Sequence, residues 1–204
     1  ESNLKNISLK DLDVRSDIDN GESFDIIINT VKLYDFDYVI ANIIKKVKGN
    51  FIILPFQNGI YAEEKIKEKI GENRTFGAVA QISSFVDKNQ NIKHVGDLAT
   101  FFVGSYEKND ENILKVFCEN CQRIGLDLRF TMNIKEKIWQ KFIFLSAYSG
   151  MTTLTEKTIG EIFSDENLKQ KFIKAMIETY ELSNMYAVKF EKNPIDFWIE
   201  RIER

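Results

Sequence analysis

The residue in this sequence best placed to move a proton is Lys141. It sits in Ile138-Trp139-Gln140-Lys141-Phe142-Ile143-Phe144-Leu145-Ser146-Ala147-Tyr148, a stretch that is apolar over several helical turns. At about 100° per residue, Lys141, Leu145, Tyr148 and Thr152 share one helix face, with Ser149 at its edge. Desolvation disfavours the charged form of a lysine, so an ammonium held among such neighbours becomes a proton donor near neutral pH. The same spacing also fits a lysine whose stem packs while its ammonium reaches water.

Two other places could meet a ligand. Lys32 directly follows the β-branched run of residues 24–31. A cation at the carboxyl end of a sheet strand can meet phosphate or carboxylate, or simply be solvated. Asn58-Gly59 follows Leu54-Pro55-Phe56-Gln57 and precedes a helical pattern. It offers an amide and a permissive glycine at a second strand end, or a plain turn.

Other candidates are weaker. None of the ten glycines falls in a G-x-G-x-x-G or G-x-x-x-x-G-K-[ST] cluster, so no phosphate cradle is present in these residues. Cys118 and Cys121 are spaced as CxxC with no second pair, which reads as two ordinary reduced thiols. His94 is the single histidine and reads as structural. No metal site is expected.

The elements that must position these groups form an alternating series. Residues 24–31 read as a strand covered on both faces, 35–48 as an amphipathic helix stopped by Gly49-Asn50, 51–54 as a second strand, and 62–70 as a second helix. This order predicts a doubly wound α/β sheet with ligands at the carboxyl ends of its strands. Residues 76–86 and 92–103 alternate like an antiparallel pair joined by a polar turn at 87–91. A helix over 110–124 and a short strand over 126–130 finish the α/β part. From Asn133 onward the pattern is almost entirely helical, with Asn133 and Glu136 in capping-box spacing. Residues 1–131 are therefore read as a Rossmann-type domain, incomplete at its start, and residues 132–204 as an all-α domain.

Composition narrows the function. The 204 residues are 44% hydrophobic, enough for a sizeable core. Twenty-eight basic and 31 acidic residues are scattered without a single-sign block, which argues against nucleic acid or an anionic membrane as partner. The longest apolar runs fall well short of the roughly 20 residues needed to span a bilayer. Reduced cysteines suit the cytoplasm.

Taken in order, Asp25-Ile26-Ile27-Ile28-Asn29-Thr30-Val31-Lys32, Leu54-Pro55-Phe56-Gln57-Asn58-Gly59-Ile60, Trp139-Gln140-Lys141 and Met151-Thr152-Thr153-Leu154-Thr155 resemble the successive blocks of the ketopantoate reductases (2-dehydropantoate 2-reductases). The resemblance implies NADPH-dependent reduction of ketopantoate to pantoate, as in pantothenate and coenzyme A biosynthesis. Lys141 then stands at the catalytic lysine. Lys32, Asn58 and Gly59 match positions that face the cofactor, and Ser149, Tyr148 and Thr152 fall on the side that faces the substrate. A homodimer through the helical domain is also implied. The sequence departs from that pattern in three ways. The glycine-rich start that holds the NADP pyrophosphate is absent, so the chain alone is expected to be inactive. Leu145 and Ser149 replace the asparagines that many members use to hold pantoate. A later serine- and glutamate-bearing segment would lie beyond Arg204. Two alternatives follow: a reductase of another small 2-oxo acid, or a non-catalytic scaffold that kept the helical domain for dimerisation.

Overall fold

The structure is a computed structural model and describes residues 10–106 and 111–203. Two compact units divide the chain. The first runs to Gln57 and again from Tyr61 to Ile134, while the second takes Asn58–Ile60 and the residues from Lys135 onward.

In the first unit, β1 (Ile26–Asn29) pairs in parallel with β2 (Ile52–Pro55), Ile26 opposite Ile52 and Asn29 opposite Pro55. Parallel strands need a crossover, and α1 (Phe36–Lys46) supplies it. Asp37 in its first turn and Lys45 and Lys46 in its last complement the helix dipole. Its inward residues Phe36, Ile40 and Ile43 pack with Phe51, Ile53, Ala62 and Ile66, the last two on α2 (Tyr61–Ile70). β2 is buried at all four residues. β1 is shorter and barer than expected: of residues 24–31 only four form the strand, and Ile28 is 51% exposed. β-Branching favours extended backbone, but cover depends on which elements lie alongside.

The second sheet has the order β3-β4-β5. β3 (Phe76–Val86) and β4 (Ile92–Ser105) are antiparallel, joined by a turn in which the Asp87 carboxylate accepts from the Asn89 and Asn91 N–H groups. α3 (Asn112–Arg123) then carries the chain to β5 (Asp127–Phe130), which adds in parallel to β4. Asp110, the expected first residue of that helix, lies outside the described residues. Ile52 and Leu54 of β2 share one core with Phe76, Ala78, Val103, Leu114 and Leu128, so both sheets close over the same apolar layer. Gly104 is required there: a Cβ on it would lie 2.1 Å from the Thr131 carbonyl oxygen and 3.1 Å from Ile134 Cβ.

The second unit is helical: α4 (Ile134–Thr155), α5 (Ile159–Ser164), α6 (Glu166–Met185) and α7 (Pro194–Ile202). Each of the last three has a side-chain N-cap, Thr158 in a capping box with Glu161, then Asp165, then Asn193 ahead of Pro194. Ile143, Ala147 and Met151 of α4 bury against Ile162, Phe172, Met176 and Ile195. The unit break falls three residues after the Thr131 boundary read from sequence, because Ile134, the first residue of α4, is held under Gly104.

Candidate active site

At the end of β1, Asn29 is only 3% exposed. Its Oδ1 accepts from the Val31 N–H at 3.2 Å and from Gln57 Nε2 at 3.1 Å, and Gln57 Nε2 also donates to the Val31 carbonyl at 2.9 Å. Lys32 follows in extended conformation, its carbonyl accepting from the Asp35 N–H as a short 3-10 turn begins. Its side chain is exposed, and no carboxylate among the described residues pairs with it.

Within the helical unit, Lys141 Nζ donates to Asn58 Oδ1 at 2.6 Å. Gly59 has φ 87°, a left-handed conformation that L side chains rarely adopt, and this lets the chain turn immediately after Asn58. The ring of Phe142 lies 4.0 Å from where a Gly59 Cβ would be. Lys141 is half-buried, while Ile138, Trp139, Gln140 and Ile143 around it are buried. Trp139 packs edge-on to Phe142 at 5.7 Å, and Trp198 Nε1 donates to the Gln140 carbonyl at 2.6 Å, so both sides of the lysine are pinned. Charge-assisted hydrogen bonds of this kind are short and roughly twice as strong as neutral ones.

Beyond the lysine, the face becomes apolar and aromatic. Leu145 is half-buried. The Tyr148 ring stacks on Phe144 at 5.3 Å, and Phe144 stacks on Trp198 at 4.4 Å. Tyr148 is 37% exposed. Ser149 is exposed, and the Thr152 hydroxyl donates to the Tyr148 carbonyl at 2.7 Å, so its proton is engaged by its own helix. The structure thus unites Lys141 with Asn58 and Gly59 in one unit and places Lys32 in the other. Sequence reading missed Asn29, Gln57, Phe144 and Trp198. The signal for the first two was available: an amide stands at or just past the end of each parallel strand.

The remaining candidates have structural places. Cys118 and Cys121 are buried free thiols on α3. Burial pushes the Cys118 thiol up to about 11 and raises that of Cys121 as well. His94 Nε2 lies 3.0 Å from the Leu98 carbonyl across the irregular part of β4. Among the described residues, no His, Cys, Asp and Glu group could hold a metal ion, and no helix is long and apolar enough to cross a membrane.

A Rossmann-like α/β domain followed by a helical domain is the architecture of this chain. The family model described as ketopantoate reductase PanE/ApbA matches residues 2–108, and its C-terminal counterpart matches residues 133–204. The chain belongs to the ketopantoate reductase family. It is 25% identical over 207 residues to a 2-dehydropantoate 2-reductase of Pyrococcus abyssi, covering all of this chain and 68% of that protein. An uncharacterised oxidoreductase of Bacillus subtilis, YkpB, is 25% identical over 151 residues, 73% of this chain and 50% of the relative. Among solved structures, the 2-dehydropantoate 2-reductase of Porphyromonas gingivalis superposes with a TM-score of 0.76 at 21% identity, covering 89% of this chain and 62% of that one. A D-mandelate dehydrogenase in complex with NADH and anilino(oxo)acetate gives 0.78 at 16% identity, over 92% and 59%. The chain thus spans one half to about two thirds of the length of these relatives.

Proposed function

We propose that the full gene product carrying this chain reduces a small 2-oxo acid to the 2-hydroxy acid with a nicotinamide nucleotide, ketopantoate and NADPH being the first candidates. The Lys141–Asn58 hydrogen bond carries this reading, because it holds an ammonium at a fixed point beside the apolar stretch of α4. Lys141 donates a hydrogen bond to the ketone oxygen and passes a proton to it as negative charge develops there. The nicotinamide, when bound, supplies the hydride. Asn58 keeps the ammonium oriented, and Gly59 permits the turn that brings Asn58 to it. Lys32, an exposed cation with no carboxylate partner among the described residues, fits an anionic group of the nucleotide at a strand end. Ser149, Tyr148 and Thr152 contribute to the substrate side. The protein works in the cytoplasm, as a homodimer through its helical domain.

A second reading is favoured by one observation. The face beyond Lys141 offers Leu145 and the exposed Tyr148 ring, which is backed by Phe144, and this suits an apolar or aryl 2-oxo acid better than the hydroxyl-bearing ketopantoate. The D-mandelate dehydrogenase likeness points the same way. Assay of the full gene product with ketopantoate and an aryl 2-oxo acid, each with NADPH and NADH, decides between them. Turnover of ketopantoate with NADPH supports the first reading, and preference for the aryl acid supports the second. No turnover of either acid with either nucleotide overturns both.

A further inference from the structure

The indole of Trp198, half-buried on α7, meets a single turn of α4 twice. Its Nε1–H donates to the Gln140 carbonyl at 2.6 Å, and its ring stacks on Phe144 at 4.4 Å with the planes 20° apart. Residues four apart lie one above the other on a helix, so both contacts fall on one face. Apolar cover alone needs no particular ring plane, whereas an N–H bonded to a backbone oxygen sets one. α7 is itself held against α4. Asn193 Oδ1 caps it by accepting from the Ile195 N–H at 2.9 Å, and Ile195 packs in one core with Ile143 and Ala147. The plane set by the indole is then passed along α4. Phe144 stacks in turn on Tyr148, at 5.3 Å and 29°, and Tyr148 is the exposed ring of the three. All of these groups belong to the helical unit that also holds Lys141 and Asn58.

We propose that Trp198 is a positioning residue for substrate specificity: through Phe144 it holds the Tyr148 ring as a wall for the apolar or aryl group of a 2-oxo acid. Trp198 touches no substrate itself. Its effect on turnover rests on the reductase reading in its aryl-acid form, whereas its effect on the Tyr148 ring does not.

The test uses Trp198→Leu, which removes the stacking ring, and Trp198→Phe, which keeps a ring and removes the N–H, both in the full gene product. kcat/KM is measured for phenylglyoxylate, an aryl 2-oxo acid, and for pyruvate, whose methyl group offers little area to such a wall. The NMR signal of the isotopically labelled Tyr148 ring, assigned by its loss in Tyr148→Phe, is followed beside them. Trp198→Leu should lower kcat/KM for phenylglyoxylate about 3- to 10-fold while that for pyruvate stays within about twofold. It should also shift the Tyr148 signal, and Trp198→Phe should shift the same signal by less. Equal losses for both acids would mark general damage to the fold and overturn the proposal, as would an unmoved Tyr148 signal in folded Trp198→Leu. Should Trp198→Leu fail to fold, Trp198→Phe decides by the same ratio and signal. Unaltered protein that reduces ketopantoate or pyruvate but not phenylglyoxylate overturns the specificity role and leaves the reductase reading standing. If it reduces none of the three, the reductase reading fails, and the Tyr148 signal still tests the positioning.

Discussion

The Lys141 ammonium and the Asn58 carboxamide oxygen, 83 positions apart in sequence, meet at 2.6 Å. Removing the acceptor leaves the ammonium without this partner in a half-buried position. Hydrogen bonds to charged groups are worth about 1.5–3 kcal/mol, so Asn58→Ala should lower turnover by roughly 10- to 100-fold. Asn58 is exposed, so the unfolding midpoint should change little. Steady-state kinetics beside a thermal melt checks this, and an undiminished turnover number would show that the contact serves no catalytic purpose.

Gly104 tests the packing that sets the start of α4. A methyl group there would meet the Thr131 carbonyl oxygen at 2.1 Å, and backbone cannot swing aside as a side chain can. Overpacking of this kind costs about 1–3 kcal/mol or more. Gly104→Ala should therefore lower the denaturant midpoint markedly or leave the protein unfolded. Gly160→Ala, where nothing lies within 4 Å of the new Cβ, should do neither.

How much of this could be read beforehand differs by element. α1, α2 and the β3–β4 hairpin follow from local periodicity and turn residues, which act over a few positions. The shortness and exposure of β1 did not, since cover is set by residues distant in the chain. Lys141, Lys32, Asn58 and Gly59 were legible as residue types at helix faces and strand ends. The Lys141–Asn58 bond and the Asn29–Gln57 bridge were not, because nothing in a linear sequence states which side chains tertiary folding will bring within 3 Å. The capping box at Thr158 and Glu161 is written in the sequence as T-x-x-E spacing.

The Cys118 thiol gives a pH signature independent of function. Burial raises it from an ordinary value of 9.0 to about 11, so the folded state keeps a proton that the unfolded chain releases earlier. Its contribution to stability is fully present below pH 9 and is lost as pH rises towards 11. Urea midpoints should fall across that window, and the fall should be shallower in Cys118→Ala. A midpoint equally pH-dependent in both proteins would contradict the assignment.

Substrate selection should follow the face beyond the lysine. Tyr148→Ala removes the outer member of the stack on Phe144, an aromatic pair worth about 0.5–1.5 kcal/mol beyond its area. If an aryl 2-oxo acid is the preferred substrate, its kcat/KM should drop roughly 3- to 10-fold relative to that of ketopantoate. Competition assays with the two acids measure the ratio directly, and an unaltered ratio would remove Tyr148 from the substrate contact.

The central claim concerns Lys141 as the group that protonates the ketone oxygen. Replacing it by alanine in the full gene product, with nucleotide-dependent reduction of the best 2-oxo acid followed at saturation, isolates that role. Turnover should fall by three orders of magnitude or so, on the scale of about 10²–10⁴ for a lost general acid, with the fold retained by circular dichroism. Turnover within a few-fold of the unaltered enzyme would contradict the account.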